Sequence, residues 1–152
     1  MQLEFWSLAC LLTAAGIIVS GCSMLLKEPE VSVKGVSPVS AGLSELVLDV
    51  TLDIQNPNAM GITLKTLSFD VFYQKGNEWI FLSHGEQTGI TLKPGPNEVT
   101  IPVSVQSSAL LGSLFDLITR GAVTLRIDGT ATPDFRLFAP NVPFSRTVTV
   151  SL

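Results

Sequence analysis

Residues 46–58 read LVLDVTLDIQNPN. Leu46, Leu48, Val50, Leu52 and Ile54 fall on one side of an extended chain, and Asp49, Thr51 and Asp53 fall on the other. Period-two alternation marks a half-buried β-strand. Val47 is the one apolar residue out of phase. The strand stops at Asn56-Pro57-Asn58: proline brings no N–H to a ladder, and asparagine caps turns with its own side chain. We read this stretch as the central strand of a β-sandwich.

Outward from it, the chain repeats the pattern. Before it, Val31 and Val33 alternate with Ser32 and Lys34 in a first strand, and residues 38–42 read as a connection. After it, Ile62 and Leu64 are in one phase and Leu67, Phe69, Val71 and Tyr73 in the other, so a β-bulge is expected near Lys65 and Thr66. Lys75-Gly76-Asn77 is a hairpin turn, with a return strand over residues 79–82. Gly85 interrupts, and residues 86–92 form another short strand. In residues 98–106, Val99, Ile101, Val103 and Val105 point inward, while Pro102 indicates an edge or a bulge. The period then changes. Leu110, Leu111, Leu114, Leu117 and Ile118 recur at helical spacing, with Ser107 or Ser108 as a cap and Gly121 as a stop. This helix lacks the Lys/Arg-rich face of a membrane-surface helix, so its apolar side is expected to cover a sheet. Strands over residues 122–130 and 144–152 complete the chain, separated by an irregular stretch. Seven or eight short antiparallel strands and one short α-helix point to a mainly β, immunoglobulin-like or fibronectin-III-like sandwich.

The chain has 152 residues, room for one domain. It is 46% hydrophobic and 14% charged, which argues against intrinsic disorder. Its net charge is −4 and its basic residues are scattered, which argues against nucleic-acid binding. Both cysteines, Cys10 and Cys22, precede the globular part, so disulfides and Cys-based metal sites are not expected there.

Residues 5–19 are almost wholly apolar and lead into Ser20-Gly21-Cys22. A hydrophobic run ending in small residues before a cysteine resembles a lipoprotein signal with its lipobox. On that reading residues 1–21 are a signal peptide and Cys22 carries the lipid; residues 22–29 are a short tether and residues 30–152 the β-sandwich domain. The opening Met1-Gln2-Leu3-Glu4 lacks the usual positive charge. An uncleaved membrane anchor over residues 5–26 is therefore the alternative, long enough to span a bilayer. Both readings put the chain at a cell membrane or envelope. Under lipidation the globular domain lies outside the cytoplasm.

Little in the chain suggests chemistry. His84 is the single histidine and reads as an exposed loop residue. Asp49 and Asp53 share a face, and Asp70 on the next strand is the nearest third carboxylate. Calcium takes roughly six to eight oxygens, so these read as a solvated face. Trp79 and Phe81, with Phe72 and Tyr73, read as core. No catalytic residue, cofactor or metal site is expected.

Several segments together carry a family resemblance: the proline-led PEVSVKGV of residues 29–36, the long strand ending Asn56-Pro57-Asn58, and the hairpin opening LKTLSFDVFYQ. Gly-Pro-Asn before VTIPVSV, one helix and a terminal Val-Thr-Val strand complete the set. The chain resembles the late embryogenesis abundant (LEA) type 2 family, also called the water-stress and hypersensitive-response (WHy) domain, over residues 29–152. The resemblance implies a β-sandwich, no enzymatic activity and an association with desiccation, cold and other stress. Asn56, Pro57 and Asn58 match the family's motif, read here as a structural turn. The implied role is a membrane-tethered stress-protection module meeting envelope components or client proteins. The alternatives are a carrier for lipid or another apolar ligand, and a scaffold component of an envelope assembly.

Overall fold

The computed structural model describes residues 25–42 and 44–151. The signal or anchor assigned to residues 1–21, and Cys22, lie outside them. Seven strands and one helix follow in the order β1 (Glu30–Ala41), β2 (Leu46–Asn56), β3 (Ile62–Lys75), β4 (Glu78–Leu92), β5 (Gly95–Val105), α1 (Ser108–Thr119), β6 (Val123–Pro133) and β7 (Val142–Val150). The strands form two antiparallel sheets, β1-β2-β5 and β4-β3-β6-β7. The expected sandwich with one helix is therefore what the described residues form.

β2 is the middle strand of its sheet, and its apolar phase is buried throughout. Val50, Leu52 and Ile54 are fully enclosed. The partner face comes mainly from β3, where Leu67, Phe69, Val71 and Tyr73 lie in the same core. Apolar burial of this kind is the main driving force for a cysteine-free sandwich. The slip between Leu64 and Thr66 appears as a register shift in the β3–β6 pairing.

The two prolines that lie well inside strands, away from the strand ends, sit on edges. Pro102 is in β5 and Pro38 in β1, the two outer strands of the three-stranded sheet. An edge residue has one side free of ladder hydrogen bonds, so the missing N–H is tolerated there. The expected connection over residues 38–42 is thus mostly strand: β1 runs through Pro38 to Ala41, with a register shift between Pro38 and Ser40.

β4 also differs from expectation. It is one continuous strand, with a register shift opposite Val71 and Phe72. Leu82 and Ser83 are consecutive yet both buried, and the strand's phase changes there. Gly85 does not break the strand. It lies opposite Phe69, and a Cβ there would come within 2.5 Å of the Phe69 ring and 2.7 Å of Val103. Only glycine leaves room for that ring.

The sheets are joined along both open sides. The Ser83 hydroxyl donates to the Ser104 carbonyl at 2.7 Å, linking β4 to β5. On the other side, an Arg146 guanidinium N–H from β7 donates to the Val33 carbonyl of β1, next to the register shift after Val33. Both bridges cover strand edges that would otherwise offer free backbone groups.

Helix α1 packs at the end where β2 begins. Leu111 and Leu114 are buried. Leu114 and Ile118 face Leu46, Leu48 and Leu125 across a wholly apolar cavity of about 20 Å³. Ser107 occupies the N-cap position without a side-chain capping bond, and Gly121 follows the helix at φ +124°.

Candidate functional site

Two places gather the polar and aromatic residues that could meet another molecule. The first is the sandwich end where β2 stops. Asn56 is 2% exposed, and its amide is fully engaged. Its Nδ2 donates to the carbonyls of Met60 at 2.9 Å and Lys93 at 3.3 Å. Its Oδ1 accepts from the Asn58 backbone N–H at 3.1 Å and from Asn58 Nδ2 at 2.9 Å. This is an Asx turn, built because Pro57 ends the ladder and Asn56 replaces the lost backbone partners. Asn58 in turn grips the segment before β1: its Nδ2 donates to the Lys27 carbonyl and its Oδ1 accepts from the Lys27 N–H, both at 2.8 Å. Nearby, Asn97 plays the same part for the β4–β5 turn, bonding to Lys93 N–H and to the Lys93 and Gly95 carbonyls. Asn56 and Asn58 thus close the turn after β2 and also bind the segment leading in from the N-terminus.

The second place is the outer face of the four-stranded sheet. Strand register sets His84, Asp70, Asp128 and Ser145 in one row across β4, β3, β6 and β7. His84 Nδ1 lies 2.7 Å from Asp70 Oδ1, and its Nε2 is 3.7 Å from Glu86. The hydrogen bond to Asp70, helped by the charges of Asp70 and Glu86, raises the His84 pKa above its ordinary 6.5 against a lowering from desolvation. The Ser145 hydroxyl donates to Asp128. Asp70 and Asp128 stand directly opposite each other, an unfavourable pairing of like charges. Each has its own counter-ion: His84 beside Asp70, and Arg126 Nε 2.9 Å from Asp128 Oδ2. That Nε is buried and its N–H is not aimed along the contact, so the pair is ionic rather than a formed hydrogen bond.

The next row holds Phe81, Phe72, Arg126 and Thr147. The Arg126 guanidinium lies 4.9 Å from the Phe72 ring centre and 4.7 Å from that of Trp79. Phe72 and Phe81 meet edge to face at 5.9 Å, and Phe81 remains 50% exposed. Cation–π contacts of this kind contribute roughly 0.5–2 kcal/mol each.

Three expectations change here. Trp79, Phe81 and Phe72 are on the outer face, and only Tyr73 of the aromatic group is core. The shift at Leu82 sets the phase of Trp79 and Phe81, and no sequence periodicity marks it, whereas Phe72 points outward by the alternation of β3 itself. His84 lies within strand β4 rather than in a loop. Asp70 does not approach Asp49 and Asp53: residues 57–61 carry the chain into the other sheet, so they belong to different sheets of the sandwich. Asp53 instead neighbours Glu98 and the Lys34–Glu98 ion pair on its own sheet.

Neither place forms a hydrolytic triad. Ser145 donates to Asp128, while His84 is three strand spacings away, about 14 Å. A nucleophile needs its base within hydrogen-bond reach. Among the described residues no group of three or more His, Cys, Asp or Glu is arranged to hold a metal, and no helix is long and apolar enough to cross a membrane.

Comparison with known proteins agrees with the fold. The chain is 33% identical over 103 residues to an uncharacterized protein of Methanocaldococcus jannaschii, a match covering 66% of the chain and 58% of that relative. The chain thus spans just over half the length of this curated relative. A protein of Arabidopsis thaliana solved in solution superposes with a TM-score of 0.64 at 18% identity, over 86% of this chain and 87% of that one. A LEA protein solved in solution gives 0.58 at 15% identity, over 98% and 85%. Residues 51–148 match the sequence profile of the late embryogenesis abundant proteins. With this match over more than half its length, the chain belongs to the LEA type 2 family.

Proposed function

We propose that the protein is a non-enzymatic, membrane-tethered interaction module that protects envelope components or client proteins during desiccation, cold or related stress. The observation that carries this is the grip of Asn58 on Lys27, which seats the tether at one end of the sandwich. Held that way, the domain leaves its two outer sheet faces available to other molecules. The apolar run of residues 5–26 supplies the anchor, either as a signal ending at a lipidated Cys22 or as an uncleaved span. The module sits in the cell envelope, outside the cytoplasm if Cys22 is lipidated.

The face carrying Phe81, Phe72, Trp79 and Arg126 is the surface best suited to unfolding clients. It combines half-exposed aromatic area with a fixed cation, the residue types that dominate binding surfaces. The carrier alternative receives less support, because the space between the sheets is filled by side chains and the cavity under α1 is about 20 Å³, room for one water at most.

The test is protection of a labile enzyme through drying and freezing by the purified full chain. Retained activity above that with an inert protein control, reduced in a Phe81→Ser variant of unchanged thermal stability, supports the reading. No protection beyond the control overturns it.

A further inference from the structure

Six large hydrophobic side chains stand exposed among the described residues, and four of them are at the end of the sandwich where the tether enters. Leu25 is 75% exposed and lies in the tether. Met60, at 53%, lies in the β2–β3 connection. Leu137, at 94%, and Phe138, at 54%, lie in the β6–β7 connection. Strand register brings these segments together. Residues 57–61 link the end of β2 to the start of β3, and β6 ends opposite that start: Pro133 pairs with Leu64, and the Asp134 N–H donates to the Thr63 carbonyl at 2.8 Å. An open cleft of about 620 Å³ runs between residues 25–27 and 57–60.

The loop that carries Leu137 is tightly built. Phe135 is buried and fastens it to the core. Its N–H donates to the Phe138 carbonyl at 3.2 Å, and the Leu137 N–H donates back to the Phe135 carbonyl at 2.7 Å. Arg136 sits at φ +65°, an uncommon conformation for a residue with a side chain, with its N–H on Asp134 Oδ1 at 3.1 Å. Phe138 packs against Phe135 at 5.2 Å between ring centres. This compact turn leaves a leucine almost wholly in water at its tip. Exposed apolar side chains gathered at one end of a domain suit a contact with lipid or protein.

The chain itself indicates which. Lys27 is pinned by Asn58, and Pro29 is buried, so the tether leaves the domain at a fixed point. Only four residues lie between Cys22 and Lys27, so the five chain steps reach at most about 18 Å. On the spanning alternative the apolar run continues to Leu26 and the distance is smaller still. Either attachment brings this end of the sandwich to the headgroup layer. The basic residues Lys27, Lys93 and Arg136 belong to this end, but so do Glu28, Glu30 and Asp134. Apolar insertion, rather than attraction to anionic lipid, must then supply most of the contact.

We propose that this end of the sandwich docks on the bilayer, with Leu137, Phe138 and Met60 entering the lipid interface beside the anchor. The domain thus stands end-on, with the Phe81 face held perpendicular to the membrane. The inference rests on the membrane tethering proposed above and adds the orientation to it.

Full-length protein is reconstituted into phosphatidylcholine–phosphatidylglycerol vesicles whose acyl chains carry bromine. Two variants are compared after subtraction of the parent emission: Leu137→Trp, and Val39→Trp near the opposite end, where Val39 is 60% exposed. Flotation on a density gradient reports tethering separately. Docking gives a blue-shifted Leu137→Trp emission quenched severalfold more than that of Val39→Trp. Floating protein with neither tryptophan quenched overturns the docking and leaves the tether standing, and equal quenching of both overturns the end-on orientation. A blue shift without quenching means the end is covered by protein, which also overturns the proposal. Protein that does not float overturns the tethering and the docking with it.

Discussion

Asn58 holds Lys27 in the manner of a strand partner, with its side-chain amide donating to the Lys27 carbonyl and accepting from the Lys27 N–H, both at 2.8 Å. A side chain thus performs for the segment before β1 what a backbone ladder does elsewhere in the sandwich. Asn58 is itself oriented by two bonds to the enclosed Asn56.

The two asparagines are expected to separate in their effects. Asn56→Ala removes a buried amide and takes the side-chain donor from the Met60 carbonyl, while the Lys93 carbonyl keeps Asn97, costing about 2–3 kcal/mol in denaturant melts. Asn58→Ala costs about 1 kcal/mol, but it frees the tether, so tryptic cleavage after Lys27 becomes faster while the rest of the domain stays resistant. Equal cleavage rates in the parent and Asn58→Ala would show that the grip on Lys27 is not what orders the tether.

Val50 tests the face assignment of β2. It is completely buried between Val36 and Ile101 in register, so Val50→Asp places an unpaired charge in the core and unfolds the domain. Asp53 is on the outer face opposite Glu98. Asp53→Asn removes one of two adjacent negative charges and changes stability by no more than about 0.5 kcal/mol. Thermal melts check both, and the reverse ranking would mean that the strand is turned over.

Arg126 serves two partners at once, the aromatic pair Phe72 and Trp79 and the carboxylate of Asp128. Arg126→Ala is expected to cost about 1–2 kcal/mol and to shift Trp79 emission to longer wavelength as the ring loses its cover. Arg126→Lys restores charge but not the flat stacking group, and recovers only part of the loss. Chemical denaturation with Trp79 as the probe measures both.

His84 faces Asp70 and Glu86, with Asp128 one strand further and Arg126 beside it. Its pKa is raised in the folded chain by the hydrogen bond to Asp70. Protonated His84 therefore stabilises the fold below its unfolded pKa, and that contribution is lost as pH rises through the higher folded value. The side chain is half exposed, so the contribution is less than about 1 kcal/mol. The melting-temperature difference between the parent and His84→Gln should favour the parent at about pH 5 and shrink towards about pH 9. A difference constant with pH would mean that His84 contributes no titrating interaction.

Much of this architecture is legible along the chain. Alternation in residues 46–54 determines which side of β2 is buried, because successive side chains of a strand point to opposite faces whatever lies beside it. The Asn-Pro-Asn stop is equally local, since proline's missing N–H and asparagine's reach to its own backbone need no distant partner. The helical spacing of Leu110, Leu111, Leu114, Leu117 and Ile118 likewise fixed the one helix. Properties that depend on neighbours were decided only by the tertiary structure. The register shift at Leu82 turned Trp79 and Phe81 outward onto the face of Phe72, and the crossing at residues 57–61 placed Asp70 beside Asp128 instead of near Asp49 and Asp53. Seating Lys27 on Asn58, and leaving Leu137 exposed on a loop anchored by Phe135, likewise required distant segments to meet. Local backbone geometry sets the face a side chain takes, while strand order and register set what it finds there.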